Sequence, residues 1–272
     1  MKLLVSLIAL ATAGATLAGC SSSGGSGTTQ SSSSSQPNSS QSSPSQSASP
    51  TTLNVYAAAS LTGAFTTIAT QFEKAHQGAK VSLKFGGSSD LATAIAQAAP
   101  VDVFASASPK TMATVVSGGF ATDPVNFVSN SLEIAVPPSN PGHVTSLQDL
   151  AKPSVKVALC EPSVPCGAVA AQVFKKAKIA VKPKASLPDV KTTLATVESG
   201  EAYAGCVYVT DVLAAGAKVK GIKVPDSLNA STEYPIAALT HAKQPALAKA
   251  FVAYVLSPAG RSVLTADGFK AP

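Results

Sequence analysis

The 272-residue chain has no tryptophan, a single arginine (Arg261) and three histidines, and only 12% of its residues are charged. Each scarcity excludes something. Nucleic-acid readers rely on arginine forks and aromatic stacking platforms. Here the net charge of +6 is carried almost wholly by lysine, without a basic cluster interleaved with aromatics. The lysines therefore read as a solvated surface with some steering of anions, and no nucleic-acid partner is expected. His76, His143 and His241 lie in polar, loop-like or helix-end contexts with no acidic partner at metal spacing, so no direct metal ligands are expected. The serines invite comparison with a secreted hydrolase, but the chain has neither a Gly-x-Ser-x-Gly elbow nor a Ser-x-x-Lys pair. No enzyme activity is expected.

Long apolar runs are scarce as well. The longest, at 3–17, follows Lys2 and ends in Leu17-Ala18-Gly19-Cys20. It is short for a bilayer span, and a positive start, a small-residue apolar stretch and this tetrapeptide together form a lipoprotein signal at 1–20 with Cys20 as the lipidated residue. Residues 21–50 are mostly Ser with Gly, Gln, Thr and Pro, and carry no charge. Such a segment buries too little apolar surface to offset the entropy of ordering, which makes it a disordered tether. From residue 51 the composition changes to Ala, Val, Leu and Lys with regular periodicity, leaving 51–272 as the folded domain.

That domain alternates short apolar runs with helical patterns, the signature of an α/β fold. Residues 53–59 read as a buried strand, and Leu61, Phe65, Ile68 and Phe72 share one face of the helix that follows. Strands are expected at 81–85, 101–104, 131–136, 155–159, 203–209 and 234–239. Helices are expected at 109–116, 167–178, 189–200, 245–256 and 258–266. In open α/β sheets ligands bind beyond the carboxyl ends of strands, where helix N-termini point. The strand-to-helix turns at Ala58 to Thr62, Phe85 to Ser89, Val164 to Gly167, Pro188 to Val190 and Cys206 to Tyr208 offer backbone N–H groups and hydroxyls there. Neutral donors suit a fully ionised oxyanion, which has only acceptors. Taken singly, a serine before a helix is more often an ordinary N-cap.

The order of these turns resembles that of the periplasmic molybdate-binding proteins of ABC transporters. The run Val55-Tyr56-Ala57-Ala58-Ala59-Ser60-Leu61-Thr62 is similar to the family's opening motif almost letter for letter. Similar agreement covers residues 85–91, 99–107 and 130–132, Val164-Pro165-Cys166-Gly167, residues 190–208 and Glu233-Tyr234-Pro235-Ile236, so it spans about 53–270. The resemblance implies a two-lobed periplasmic-binding-protein type II fold with a ligand cleft between the lobes. Crossings are expected near 133–137 and 233–237, with lobe 1 made of 53–133 and 238–272 and lobe 2 of 137–234. It implies that Ser60 and Ser88 hydroxyls, the Cys166 and Val190 backbone N–H groups and the Tyr208 hydroxyl hold molybdate or tungstate. It also implies an ABC transporter permease as partner, no cofactor, and a monomer held by its lipid anchor at the outer face of the cytoplasmic membrane. Receptors for sulfate or phosphate share the expected fold. Cys166 departs from the alanine of many members, and Tyr203 stands where a smaller residue is expected.

Beyond Cys20 the cysteines are Cys160, Cys166 and Cys206. Outside the cytoplasm an odd count implies one pair and one free thiol. Cys160 with Cys166 would stiffen the turn between them, leaving Cys206 as a small buried residue; Cys160 with Cys206 is the rival pairing. The lipobox predicts that mature protein begins at acylated Cys20 and sediments with membranes. Cys20→Ser should abolish both, and a Cys20→Ser protein still cut at that bond and still membrane-bound would remove the assignment.

Overall fold

The computed structural model describes residues 50–272. The signal at 1–20, Cys20 and the tether at 21–50, apart from Pro50, lie outside the described residues. The chain enters through β1 (Thr51–Ala58), whose Leu53, Val55 and Ala57 alternate inward and are fully buried. A 3-10 turn at Ala59–Leu61 leads into α1 (Thr62–Ala75), followed by β2 (Ala79–Gly86), α2 (Ser88–Ala96), β3 (Val103–Ala105) and α3 (Pro109–Ser117). As the 3.6-residue spacing requires, Leu61, Phe65, Ile68 and Phe72 are all buried.

The long β4 (Val125–Val136) comes next, then β5 (Val157–Cys160), α4 (Pro165–Ala177), β6 (Ala185–Leu187), α5 (Val190–Glu198), β7 (Ala204–Tyr208), α6 (Val209–Ala215) and β8 (Lys220–Lys223). The chain closes with β9 (Ser231–Ala238), α7 (Pro245–Leu256) and α8 (Pro258–Ala266). This is the α/β class expected. Strands run in the order β2-β1-β3-β9-β4-β7-β5-β6, with β8 also on β4. Parallel pairs form where a helix connects the strands (β1 with β2, β5 with β6), whereas β9 and β4 pair antiparallel to their neighbours.

Strand β4 is shared lengthwise. Its residues Val125 to Ser131 bond to β9, and its residues Leu132 to Val136 bond to β7 and β8. The core divides in the same way. Phe65, Phe72 and Phe251 cluster around β1, with Phe72 and Phe251 edge-on at 5.1 Å, while Leu91, Phe104 and Met112 pack under α2 and α3. Ile134, Val157, Val173, Val197 and Cys206 form a separate cluster around β5 and β7.

The sequence reading did not include β6, β8 or the first half of β4. Strand β8 is mostly exposed and carries Lys220 and Lys223, so its period-2 signal is blank. Strand β4 begins with exposed Val125 and Asn126 and has a register shift before Val128, which breaks the alternation.

Cys160 and Cys166 form a disulfide, and Cys206 is free and buried in β7. Burial pushes the Cys206 thiol up to about 12, so at neutral pH it carries no thiolate to react. Alkylation of folded, oxidised domain should therefore label nothing, and after denaturation without reductant it should label one cysteine, at Cys206. Three labelled cysteines, or a mass-mapped link through Cys206, would refute this.

Candidate anion site

Ser60, Ser88, Cys166, Val190 and Tyr208 line one small cavity together with Ala107, Val164, Pro165 and Asp189. The space open to the centre of a water-sized sphere is about 20 Å³, where roughly 10–15 Å³ holds one water. Such a cavity suits a compact ion and excludes a large organic ligand.

Each wall is a strand-to-helix turn. Ser60 sits in the 3-10 turn that β1 enters from Ala58, and Ser88 is the first residue of α2 after Gly86 and Gly87. In α4 the first position is Pro165, which has no N–H to leave unpaired, so Cys166 supplies the first free donor. Val190 opens α5 behind the N-cap Asp189. Neither the Cys166 nor the Val190 N–H has an acceptor among the described residues, as expected for first-turn positions. The positive ends of α2, α4 and α5 thus face one point.

The hydroxyls differ in what holds them. Ser88 Oγ accepts the Ala107 N–H at 3.0 Å, which leaves its hydrogen free. Ser60 Oγ lies 2.9 Å from the Tyr234 hydroxyl. Tyr208 is 1% exposed, yet among the described residues its hydroxyl has no hydrogen-bond partner. The Tyr234 hydroxyl, close enough to influence it, is already paired with Ser60. Burial, with the neighbouring Tyr234 and Asp211, holds the Tyr208 phenol far above its ordinary pKa, so it stays a neutral donor.

Among the described residues no lysine or arginine lines the cavity, and the one carboxylate there is engaged elsewhere. Asp189 accepts the Thr192 N–H at 2.9 Å and the Thr192 hydroxyl at 3.0 Å as the cap of α5. Asp90 is exposed in the first turn of α2. Behind the site, Asp211 accepts the Tyr208 N–H at 3.1 Å and lies 3.1 Å from Lys191 Nζ.

A pocket of neutral donors at the carboxyl ends of strands suits an unprotonated anion, and residues 53–270 match the family described as bacterial extracellular solute-binding protein. The chain belongs to that family. The molybdate-binding protein ModA of Mycobacterium tuberculosis is 41% identical over 219 residues, covering 80% of this chain and 84% of that protein. Among solved structures, the substrate-binding domain of a putative molybdenum ABC transporter from Clostridium difficile is 29% identical with a TM-score of 0.61, covering 81% of this chain and 99% of that one. The periplasmic molybdate-binding protein of Azotobacter vinelandii superposes with a TM-score of 0.72 at 22% identity, over 81% of this chain and 99% of that one, and shares the fold. The resemblance drawn from the motifs holds, and so does the two-lobed binding-protein fold it implied.

In this solute-binding protein the two walls of the cleft touch. A Cβ on Gly87 would stand 2.5 Å from the Pro188 carbonyl oxygen, and Ser89 Oγ donates to the Ser163 carbonyl at 2.9 Å. The sequence reading missed these contacts, the Ala107 donor and the Tyr234 partner of Ser60. Tyr234 stood in a quoted motif, but nothing local signals a pairing 174 residues away. Tyr203, expected in strand packing, lies just before β7 with Lys156 Nζ 4.9 Å from its ring centroid. Gly87→Ala should disturb the closed arrangement alone, since opening the cleft relieves the clash. Overpacking of this kind costs about 1–3 kcal/mol, so solute affinity should fall roughly ten- to a hundredfold while the melting temperature of the ligand-free protein holds. Unchanged affinity by calorimetry would show that the walls part at Gly87 in the bound state.

Proposed function

We propose that this chain captures an unprotonated tetrahedral dianion, molybdate or its like-shaped counterpart tungstate, outside the cytoplasm and delivers it to an ABC importer. One observation carries the reading: among the described residues the buried Tyr208 hydroxyl has no hydrogen-bond partner, and it shares its cavity with Ser60, Ser88, Cys166 and Val190. A buried hydroxyl left unpaired is costly, and an anion in the cavity would satisfy it. The ligand set is the Ser60, Ser88 and Tyr208 hydroxyls with the Cys166 and Val190 N–H groups. The names of the relatives support molybdate as the cargo.

In this reading lobe 1 comprises 53–133 and 238–272, lobe 2 comprises 137–234, and the shared β4 with β9 forms the crossing between them. The acylated Cys20 and the tether keep the monomer beside its permease at the outer face of the membrane. The protein binds and does not catalyse. Ser60 is partnered by a buried phenol rather than a histidine, so no general base stands ready to make it a nucleophile. Phosphate, which partly keeps a proton at neutral pH, needs an acceptor in the pocket, and Asp189 is committed to Thr192. Sulfate is a smaller tetrahedron that cannot reach every donor at once.

Hydrogen bonds to a charged partner are worth about 1.5–3 kcal/mol each, and a factor of ten in affinity is about 1.4 kcal/mol. Ser60→Ala and Tyr208→Phe should each weaken molybdate binding by roughly ten- to a hundredfold in calorimetry. Cys166→Ala should cost less, because only its N–H is used, although the turn loses its disulfide. Parental affinity in the Ser60 and Tyr208 variants, or sulfate bound as tightly as molybdate, would overturn the site.

A further inference from the structure

The two serines of the cavity differ in what stands behind them. Behind Ser88 is a backbone N–H, that of Ala107, which can only donate. The direction of that bond is therefore fixed, and the Ser88 hydrogen is left for a ligand. Behind Ser60 is another hydroxyl, that of Tyr234 at 2.9 Å, and either oxygen could accept. A hydroxyl has one hydrogen, so the direction of this bond decides whether an anion beside Ser60 meets a proton or a lone pair.

We propose that Tyr234 is a positioning residue for the anion site: it donates its hydrogen to Ser60 Oγ and thereby leaves the Ser60 hydrogen to the bound anion. The inference rests on the binding reading above. Tyr234 is fully buried, and Ser60 Oγ at 2.9 Å is the partner in ordinary hydrogen-bond geometry with its hydroxyl among the described residues, with Asn130 and Tyr208 farther off. If Ser60 donated to Tyr234, the phenol hydrogen would lose its acceptor at 2.9 Å and have to turn to a more distant group, and the anion would face oxygen lone pairs. Both penalties vanish in the order Tyr234 to Ser60 to anion, where every hydrogen has an acceptor.

The ring is held to that task. It packs edge-on against Phe269 at 5.5 Å, Tyr208 at 6.1 Å and Phe127 at 6.5 Å, so the phenol oxygen has little freedom to turn away. Burial keeps the phenol protonated well beyond neutral pH, so the hydrogen is always there to give. Because Tyr234 belongs to β9, which pairs with both β3 and β4, it also ties the serine after β1 to the strands that join the two cores.

The test is calorimetry with sodium molybdate on the mature protein and on Tyr234→Phe, Ser60→Ala, Ser88→Ala and the two double variants containing Tyr234→Phe. Phenylalanine keeps the ring in its cage, so the ligand-free variant should melt close to the parent. An ordinary hydrogen bond contributes about 0.5–1.5 kcal/mol net, so Tyr234→Phe should weaken binding about two- to tenfold. Added to Ser60→Ala it should have no further effect, whereas with Ser88→Ala the losses should multiply. Parental affinity in Tyr234→Phe would overturn the proposal, as would a loss that multiplies with Ser60→Ala or one that tracks a lowered melting temperature. Ser60→Ala binding like the parent would instead remove the site reading on which the proposal stands.

Discussion

Taking a doubly charged ion out of water without offering it a countercharge, as the proposed function requires, constrains everything else in this fold. Desolvating an ion is expensive unless the site replaces its hydration with fixed donors. Side chains on flexible stems replace water poorly, because each must be ordered at binding. Backbone N–H groups at helix starts are ordered already, and their dipoles add at the point where several helices converge. The proposed function thus asks for an α/β architecture in which strands deliver helix N-termini to one spot, and the chain has that architecture in Ala58 to Ser60, Gly86 to Ser88, Pro165 to Cys166 and Asp189 to Val190.

Holding such turns still is a separate problem, since each is loop-like and unpaired by design. Around Cys166 the solution is covalent and steric. The disulfide closes the six-residue step from Cys160. Gly167 comes so near the preceding backbone that a Cβ there would lie 2.0 Å from the Glu161 carbonyl oxygen. Only glycine permits that approach, and it fixes where the Cys166 N–H points. At α5 the same end is met by capping, with Asp189 holding the first turn through Thr192.

How much of this was legible follows from the range of each interaction. The faces of α1 and the closing pair α7 and α8 could be read because periodicity and proline punctuation are local. Ser60, Ser88, Cys166, Val190 and Tyr208 share a cavity that no single turn announces. A serine such as Ser88 reads as an N-cap until its neighbours in space are known, and only the ordered set of motifs suggested the grouping. What stayed hidden is non-local: β4 exchanging partners at Leu132, the Ala107 N–H behind Ser88, and Tyr234 behind Ser60. Periodicity says that Tyr234 is buried in a strand, but the oxygen it touches is set by tertiary packing.

Asp211 looks at first like a contradiction, a fully buried carboxyl directly behind the proposed anion site. Its pKa is raised, chiefly by burial, while Lys191 at 3.1 Å and the Tyr208 N–H work in the opposite direction. Consider the two states in turn. Ionised, Asp211 forms a pair with Lys191 whose net charge is zero. Protonated, it leaves the Lys191 ammonium as the uncompensated member, which favours an anion nearby. In neither state does the group behind Tyr208 present net negative charge to the cavity. The carboxyl meanwhile anchors the Tyr208 N–H and so fixes where β7 ends and α6 begins. A buried acid is compatible with the proposed dianion site because its partner is Lys191, the residue after Val190, on the same helix whose N-terminus faces the cavity. The charge that neutralises Asp211 and the N–H proposed to hold the ligand are therefore placed by one short element, and moving α5 would disturb both together.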